Sequence, residues 1–241
     1  MLSSRALRGS RPVLLLCLGQ APEPVSRVHG SFPSWYERAW GSPLSVHDGR
    51  AGLAAPDPRD YAGLVITGSA SSLTEPEPWM EPAAELAVRA HDVGVPVLGV
   101  CFGHQLLGAA FGGRVVRNPR GWEIGTTTVE VDPQDRLFAG LPRELRVNMV
   151  HQDIVTAELP DRVKPLGGNE LTEVAVLAVG EHVRGVQFHP EVTGPIVRGY
   201  IDARRPILSG LDPDLLISQA GDAPDGVAVL ANFRRHFVDK S

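Results

Sequence analysis

Two short stretches of the chain carry residue types suited to covalent chemistry. The first, Val95-Pro-Val-Leu-Gly-Val-Cys101-Phe-Gly-His-Gln-Leu-Leu-Gly-Ala-Ala-Phe111, runs an apolar strand into a cysteine and then into a helix beginning about Gly103. That order is the pattern of a nucleophile elbow, in which a sharp strand-to-helix turn lifts the nucleophile above the carboxyl edge of a sheet. The backbone there is strained, and glycines such as Gly99 and Gly103 remove side chains that would collide. Unpaired N–H groups at the helix amino terminus favour a thiolate and can hold a developing oxyanion. A lone cysteine is more often a buried structural residue, but the glycines and the strand-to-helix context argue for a nucleophile at Cys101.

A thiol nucleophile needs a base, and the base needs an orienting group. The second stretch, Gly185-Val-Gln-Phe-His189-Pro-Glu191-Val192, supplies both. His189 ends a predicted strand, and Glu191 follows after a proline that stiffens the turn. Residues i and i+2 of such a backbone can point the same way, so the carboxylate can accept the ring N–H and fix the tautomer. A single histidine is usually a surface or satisfied core residue; the neighbouring acid and the cysteine elbow favour catalysis.

The elements that must position these groups read as an α/β domain. Apolar runs at Val13 to Leu18, Ala62 to Thr67, Val95 to Val100, Val174 to Val179 and Arg184 to Phe188 are short, bounded by Gly, Pro or polar residues, and continuous rather than alternating, as expected of buried central strands. Cys17 lies in the first as a small hydrophobe. Glu77 to Val93 shows helical spacing after a proline-rich start, which makes strand, crossover helix and strand in succession. Thr126 to Val131 and Leu145 to Val150 predict an antiparallel extension, and Ile196 to Arg204 and Val227 to Val238 two closing helices. The fold class expected is a single-domain open sheet, mixed and mostly parallel, flanked by helices, spanning residues 1–241 with 1–11 flexible. Both functional stretches then end at one sheet edge, where open α/β folds build their sites.

Gly99-Val-Cys101-Phe-Gly103-His-Gln105 together with Gln187-Phe-His189-Pro-Glu191 resembles the class I glutamine amidotransferases, the Cys-His-Glu family that includes the glutaminase half of GMP synthetase. The likeness covers nearly the whole chain and implies a flavodoxin-like sheet. It implies that Cys101 is the nucleophile, His189 the general base and acid, and Glu191 the group that orients it. It assigns the oxyanion hole to the loop at Gly68 and to the N–H of Phe102, and substrate binding to Gln105, His151 and Ser69. Thr67-Gly-Ser-Ala70 is similar to the stand-alone branch rather than to relatives with Gly-Gly-Pro. Val150-His-Gln-Asp153 matches a Ser-His-Gly-Asp-like loop only in part, since Gln152 replaces glycine. Gly121-Trp-Glu-Ile-Gly125 resembles stand-alone members, including plant γ-glutamyl peptidases; Trp122 either walls the pocket or packs on the sheet. His104 is expected to pack or line the pocket rather than act as base.

The activity implied is cysteine-dependent hydrolysis of the glutamine side-chain amide through a γ-glutamyl thioester. The alternatives are a γ-glutamyl peptidase acting without a synthase partner and a non-catalytic sensor or binding module on the same fold. Glutamine or a γ-glutamyl compound is the expected small-molecule partner, with a separate synthase subunit as a further one.

Composition narrows the field further. With 43% hydrophobic and 21% charged residues in 241, the chain is ordinary globular protein. A net charge of −5 and the lack of a basic stripe argue against nucleic acid. Scattered histidines and two cysteines on different elements suggest no metal, and no cofactor is expected. No Gly-rich phosphate loop is seen, so the chain alone is not expected to activate an acceptor with ATP. Arg5, Arg8 and Arg11 before the first apolar run imitate a signal peptide, but the run is short and no clean cleavage site follows. With no 18-residue apolar stretch to span a membrane and at most one disulfide, a cytoplasmic location is the expectation.

Overall fold

Apolar runs flanked by turn residues become the strands that carry the site, and they do so in the order that right-handed crossovers permit. The computed structural model describes residues 11–52 and 54–239; apart from Arg11, the expectation of a flexible start falls outside them. The strands are β1 (Val13–Cys17), β2 (Ser45–Asp48), β3 (Gly63–Ile66), β4 (Val97–Val100), β5 (Val115–Arg117), β6 (Glu123–Val131), β7 (Glu144–His151), β8 (Asp153–Val155), β9 (Val163–Gly168), β10 (Val176–Val179) and β11 (Val183–Val186). The helices are α1 (Glu23–His29), α2 (Phe32–Trp40), α3 (Met80–Asp92), α4 (Phe102–Ala110), α5 (Gly194–Arg204), α6 (Pro213–Gln219) and α7 (Pro224–Phe233).

Nine strands form one sheet in the order β2-β1-β3-β4-β11-β10-β9-β6-β7, and β5 and β8 pair separately. Neighbours from β2 through β11 are parallel, and the rest of the sheet continues antiparallel. The long β6–β7 ladder is the extension that Thr126 to Val131 and Leu145 to Val150 predict. Pro78 holds back the start of α3, because the residue before a proline avoids the helical region, and the helix opens at Met80 rather than Glu77. The last predicted helix begins three residues early, at Pro224, and passes into a π-helical turn over Arg234–Val238. The short or half-exposed elements β2, β5, β8, β9, α1, α2 and α6 were not expected.

Alternation along the strands divides the core between two faces. Leu15, Val65, Leu98 and Val100 pack with Trp35, Tyr36, Phe188 and Phe233 beneath α2, α5 and α7. Leu14, Leu16, Leu64 and Ile66 pack with Met80, Leu86, Phe102 and Leu107 beneath α3 and α4. Each such side chain, removed from water, contributes roughly 1.5–3 kcal/mol. A sheet this firmly clamped can hold strained groups at its edge. No helix among the described residues is long and apolar enough to cross a membrane.

Candidate active site

β4 and β11 lie parallel in register, with Val100 beside Val186. The two functional stretches therefore leave the sheet side by side. The Cys101 N–H donates to the Val186 carbonyl at 2.9 Å, a last ladder bond before the chain turns. Cys101 then adopts φ 53 and ψ −105, and it is the non-glycine residue with positive φ among those described. Such a conformation costs about 1–3 kcal/mol and persists only where the surroundings enforce it. They do so here through two glycines. A Cβ on Gly99 would come within 2.4 Å of the Gly103 carbonyl oxygen, and one on Gly103 within 2.6 Å of the Ile66 carbonyl oxygen, so α4 lies directly on β3 and β4. Cys101 caps α4, and the N–H of Phe102, in the first turn, has no partner within the helix.

His189 reaches the same place. Its Nδ1 bonds the Glu191 Oε1 at 2.7 Å, and its Nε2 is buried without a hydrogen-bond partner among the described residues. The ring carbon Cε1 and the Cys101 sulfur lie 3.1 and 3.9 Å from one point, where a side chain on Gly68 would begin. Burial works to strip the His189 proton, but the Glu191 carboxylate and the Cys101 sulfur outweigh it and push the imidazole up to about 10. The backbone that aims the ring is itself tied down: the His189 N–H donates to the Asn148 carbonyl at 2.9 Å, and the Asn148 amide donates to the Val192 carbonyl at 2.8 Å. Tyr36 lies on the far side, its buried hydroxyl raised by burial and by the Glu191 charge.

Gly68 completes the convergence. Thr67, at the end of β3, receives the Leu18 N–H on its hydroxyl oxygen at 2.9 Å and donates that hydroxyl to the Gly68 carbonyl at 2.9 Å. The loop is thereby held against the sulfur and imidazole, so close that a Cβ on Gly68 would lie 3.1 Å from the His189 ring. Ser69 follows on the wall of a cleft of about 310 Å³ that also takes in Cys101, Gln105, Trp122, His151, Asp153 and Arg204.

The other residues implied by the resemblance line this cleft in a more committed state. The Gln105 amide donates to the Asp153 carbonyl at 2.8 Å and to the Gln187 side chain at 3.2 Å. His151 has both ring nitrogens engaged, Nδ1 at 3.1 Å from the Asp153 carbonyl and Nε2 at 3.1 Å from Glu123. Burial would raise the Glu123 carboxyl, but His151, Thr172 and Asn169 bond to it and hold it below the usual range. Ser72 donates to Asp153, whose other oxygen is 3.5 Å from the Arg117 guanidinium. The fully buried His104 ring packs against Gly185, and burial lowers it to about 4.

Glu123, Thr67, Asn148, Asp153 and Arg204 were not singled out from sequence. None stands in a local pattern with Cys101 or His189; Thr67, Glu123 and Asp153 lie within the stretches that carry the resemblance and so had a usable signal. Among the described residues no group of three His, Cys, Asp or Glu is placed to hold a metal ion.

Comparison with known proteins shows what the chain is similar to. γ-Glutamyl peptidase 5 of Arabidopsis thaliana is 33% identical over 155 residues, 61% of this chain and 61% of that protein. A glutamine-hydrolyzing GMP synthase of Aeropyrum pernix is 40% identical over 131 residues, 54% of this chain and 24% of that enzyme. The matched region thus spans about three-fifths of the peptidase and about a quarter of the synthase. A crystal structure of a glutamine amidotransferase from Thermotoga maritima superposes with a TM-score of 0.74 at 24% identity, covering 96% of this chain and 99% of that one, which establishes a shared fold. The family described as glutamine amidotransferase class-I matches residues 51–196. With more than half of its length matched, including the cysteine elbow and the His-Pro-Glu turn, the chain belongs to the class I glutamine amidotransferase family.

Proposed function

We propose that this protein is a cysteine hydrolase that cleaves the amide bond at the γ-carboxyl of a glutamyl residue, with glutamine or a γ-glutamyl compound as substrate. The observation that carries the proposal is the meeting of the Cys101 sulfur and the His189 ring at the point left open by Gly68, with Glu191 bonded to the ring's other nitrogen.

The sulfur of Cys101 attacks the δ-carbonyl. The oxyanion that forms accepts hydrogen bonds from the N–H of Phe102 and from the Gly68 loop. His189, carrying its proton at neutral pH, donates it from Nε2 to the departing ammonia or amine, and Glu191 holds the ring in the orientation that leaves Nε2 free. The γ-glutamyl thioester is then hydrolysed by a water that gives its proton to His189. Gln105 and the 151–153 loop form the wall against which the amino-acid end of the substrate rests, with Asp153 as the anionic group there.

Purified protein incubated with glutamine and a panel of γ-glutamyl compounds should release glutamate, and Cys101→Ala should lose at least about 10³-fold of that rate. A Cys101-dependent covalent adduct with a glutamine-analogue electrophile would support the enzyme; glutamate release unaffected by Cys101→Ala would overturn it. No labelling and no turnover would favour a non-catalytic binding module. Relatives named as GMP synthases suggest a synthase partner, and release of ammonia only in the presence of such a partner would identify that variant.

A further inference from the structure

Arg204 closes α5 and borders the cleft onto which Cys101 opens. Its guanidinium carbon lies 4.7 Å from the centroid of the Tyr200 ring and 5.7 Å from that of Trp122. Its Nη1 is buried and has no hydrogen-bond partner among the described residues. Leaving a charged donor buried and unpaired is costly, and contact with aromatic faces stabilises the cation while its in-plane N–H groups stay free. A free guanidinium fork beside a cleft fits a planar carboxylate better than any other common group.

The position of this group in the cleft decides which carboxylate. One cluster of lining residues, Gln105, Ser72 and Asp153, is joined by hydrogen bonds along α4 and β8 and forms the wall assigned above to the amino-acid end of the glutamyl group. Arg204, Tyr200 and Trp122 form a second cluster, from α5 and the start of β6. Tyr200 packs in the same core layer as Phe188 and Val192, which flank the His189–Glu191 pair, whereas Leu106 and Val155 beside the first cluster belong to the opposite layer, so the second cluster lies on the side of that pair. An amine expelled from the tetrahedral intermediate takes its proton from His189, so it departs on that side.

We infer that Arg204, backed by Tyr200 and Trp122, is a subsite for a carboxylate on the leaving group, and that the substrate class is γ-glutamyl amino acids and peptides with a free carboxyl terminus. The inference rests on the hydrolase reading above and sharpens it, because ammonia leaving glutamine has no carboxylate to bind. In the first step the bond from Cys101 sulfur to the δ-carbon forms, the amide C–N bond breaks, and the amine takes the His189 proton. Water then replaces sulfur on the carbon and returns a proton to His189. The products are glutamate and the amino acid or peptide, and no other reactant is needed.

The test compares γ-glutamylalanine, its carboxyl-terminal amide and glutamine as substrates of the full chain and of Arg204→Met and Arg204→Lys. Wild-type protein should prefer the free acid to the amide by about tenfold to hundredfold in kcat/KM, the worth of one charge-assisted bond. Arg204→Met should bring that ratio to about one, chiefly through KM, and Arg204→Lys should restore part of it. Equal wild-type rates on acid and amide, or a ratio that survives in Arg204→Met, overturns the subsite. A rise in KM for glutamine as large as that for γ-glutamylalanine in Arg204→Met also overturns it, since the bound carboxylate is then that of the glutamyl group. Failure of the hydrolase reading looks different: wild-type protein releases no glutamate from any of the three. Calorimetry on Cys101→Ala decides the subsite even then, with tighter binding of the acid than of the amide expected and equal binding overturning it.

Discussion

The molecule contains two buried histidine–glutamate pairs at the same edge of the sheet, and they have opposite properties. His189 gives one nitrogen to Glu191 and leaves the other without a partner beside the Cys101 sulfur. His151 gives one nitrogen to Glu123 and the other to the Asp153 carbonyl, and Glu123 is further bonded by Thr172 and Asn169. Burial and pairing are alike in both, so neither marks a base. What distinguishes the two is an uncommitted nitrogen on the ring that meets the Cys101 sulfur. The first pair can move a proton; the second fastens β6 and β7 to the loop behind the cleft.

The sharpest way to break this comparison is to substitute the two histidines in parallel. His189→Gln should lower kcat for glutamate release by about 10³-fold or more, with a smaller fall in the urea midpoint than in His151→Leu, since the neutral amide still reaches Glu191. His151→Leu should show the reverse emphasis, a stability loss of about 3–5 kcal/mol from an unpaired buried Glu123 and a smaller loss in kcat. Equal kinetic losses in the two variants would erase the distinction drawn here.

A second, smaller effect concerns the space that lets the reactive pair meet. Gly68→Ala would set a methyl 3.1 Å from the His189 ring and 3.5 Å from the Cys101 Cβ, so the imidazole must shift by a few tenths of an ångström. We expect kcat to fall by roughly 10²-fold, as misplacement of reacting groups does, with KM nearly unchanged. Steady-state kinetics with unaltered activity would show that the imidazole does not depend on that gap.

The smallest effect is read in pH dependence of stability. The folded His189 titrates at about 10, above its ordinary value of 6.5. Its contribution is therefore complete below about pH 6.5 and is lost as pH rises through about 10. Glu191→Gln removes the carboxylate that favours the protonated ring. The stability gap between wild type and Glu191→Gln, a few kcal/mol by linkage, should therefore narrow from pH 6.5 to 10 in urea titrations. A gap that widens in that window would mean that the proton is not held by Glu191.

The elbow was legible because its demands are local: a continuous apolar strand, Gly99 and Gly103 where backbones touch, and a cysteine between them. The His-Pro-Glu turn was legible for the same reason, since a two-residue spacing sets the Nδ1 contact. The half-buried strands β2 and β9 escaped because their stability comes from the neighbours they pair with rather than from their own side chains. The resemblance implied that His151 and Gln105 stand on the cleft wall, but the nitrogens and oxygens they would keep free could not be read from it.

By itself, the order of residues determined an α/β sheet, a cysteine at a forced turn, and a histidine with its acid. These follow from periodicity and backbone sterics acting over a few positions. Only the tertiary structure decided that Gly68 is the point on which they converge, that His151 is bound on both sides, and that Arg204 stands unpaired between two rings. Those outcomes depend on which atoms of separate elements compete for one hydrogen bond, and a pairing such as that of His151 with Glu123, 28 residues away, leaves no local trace.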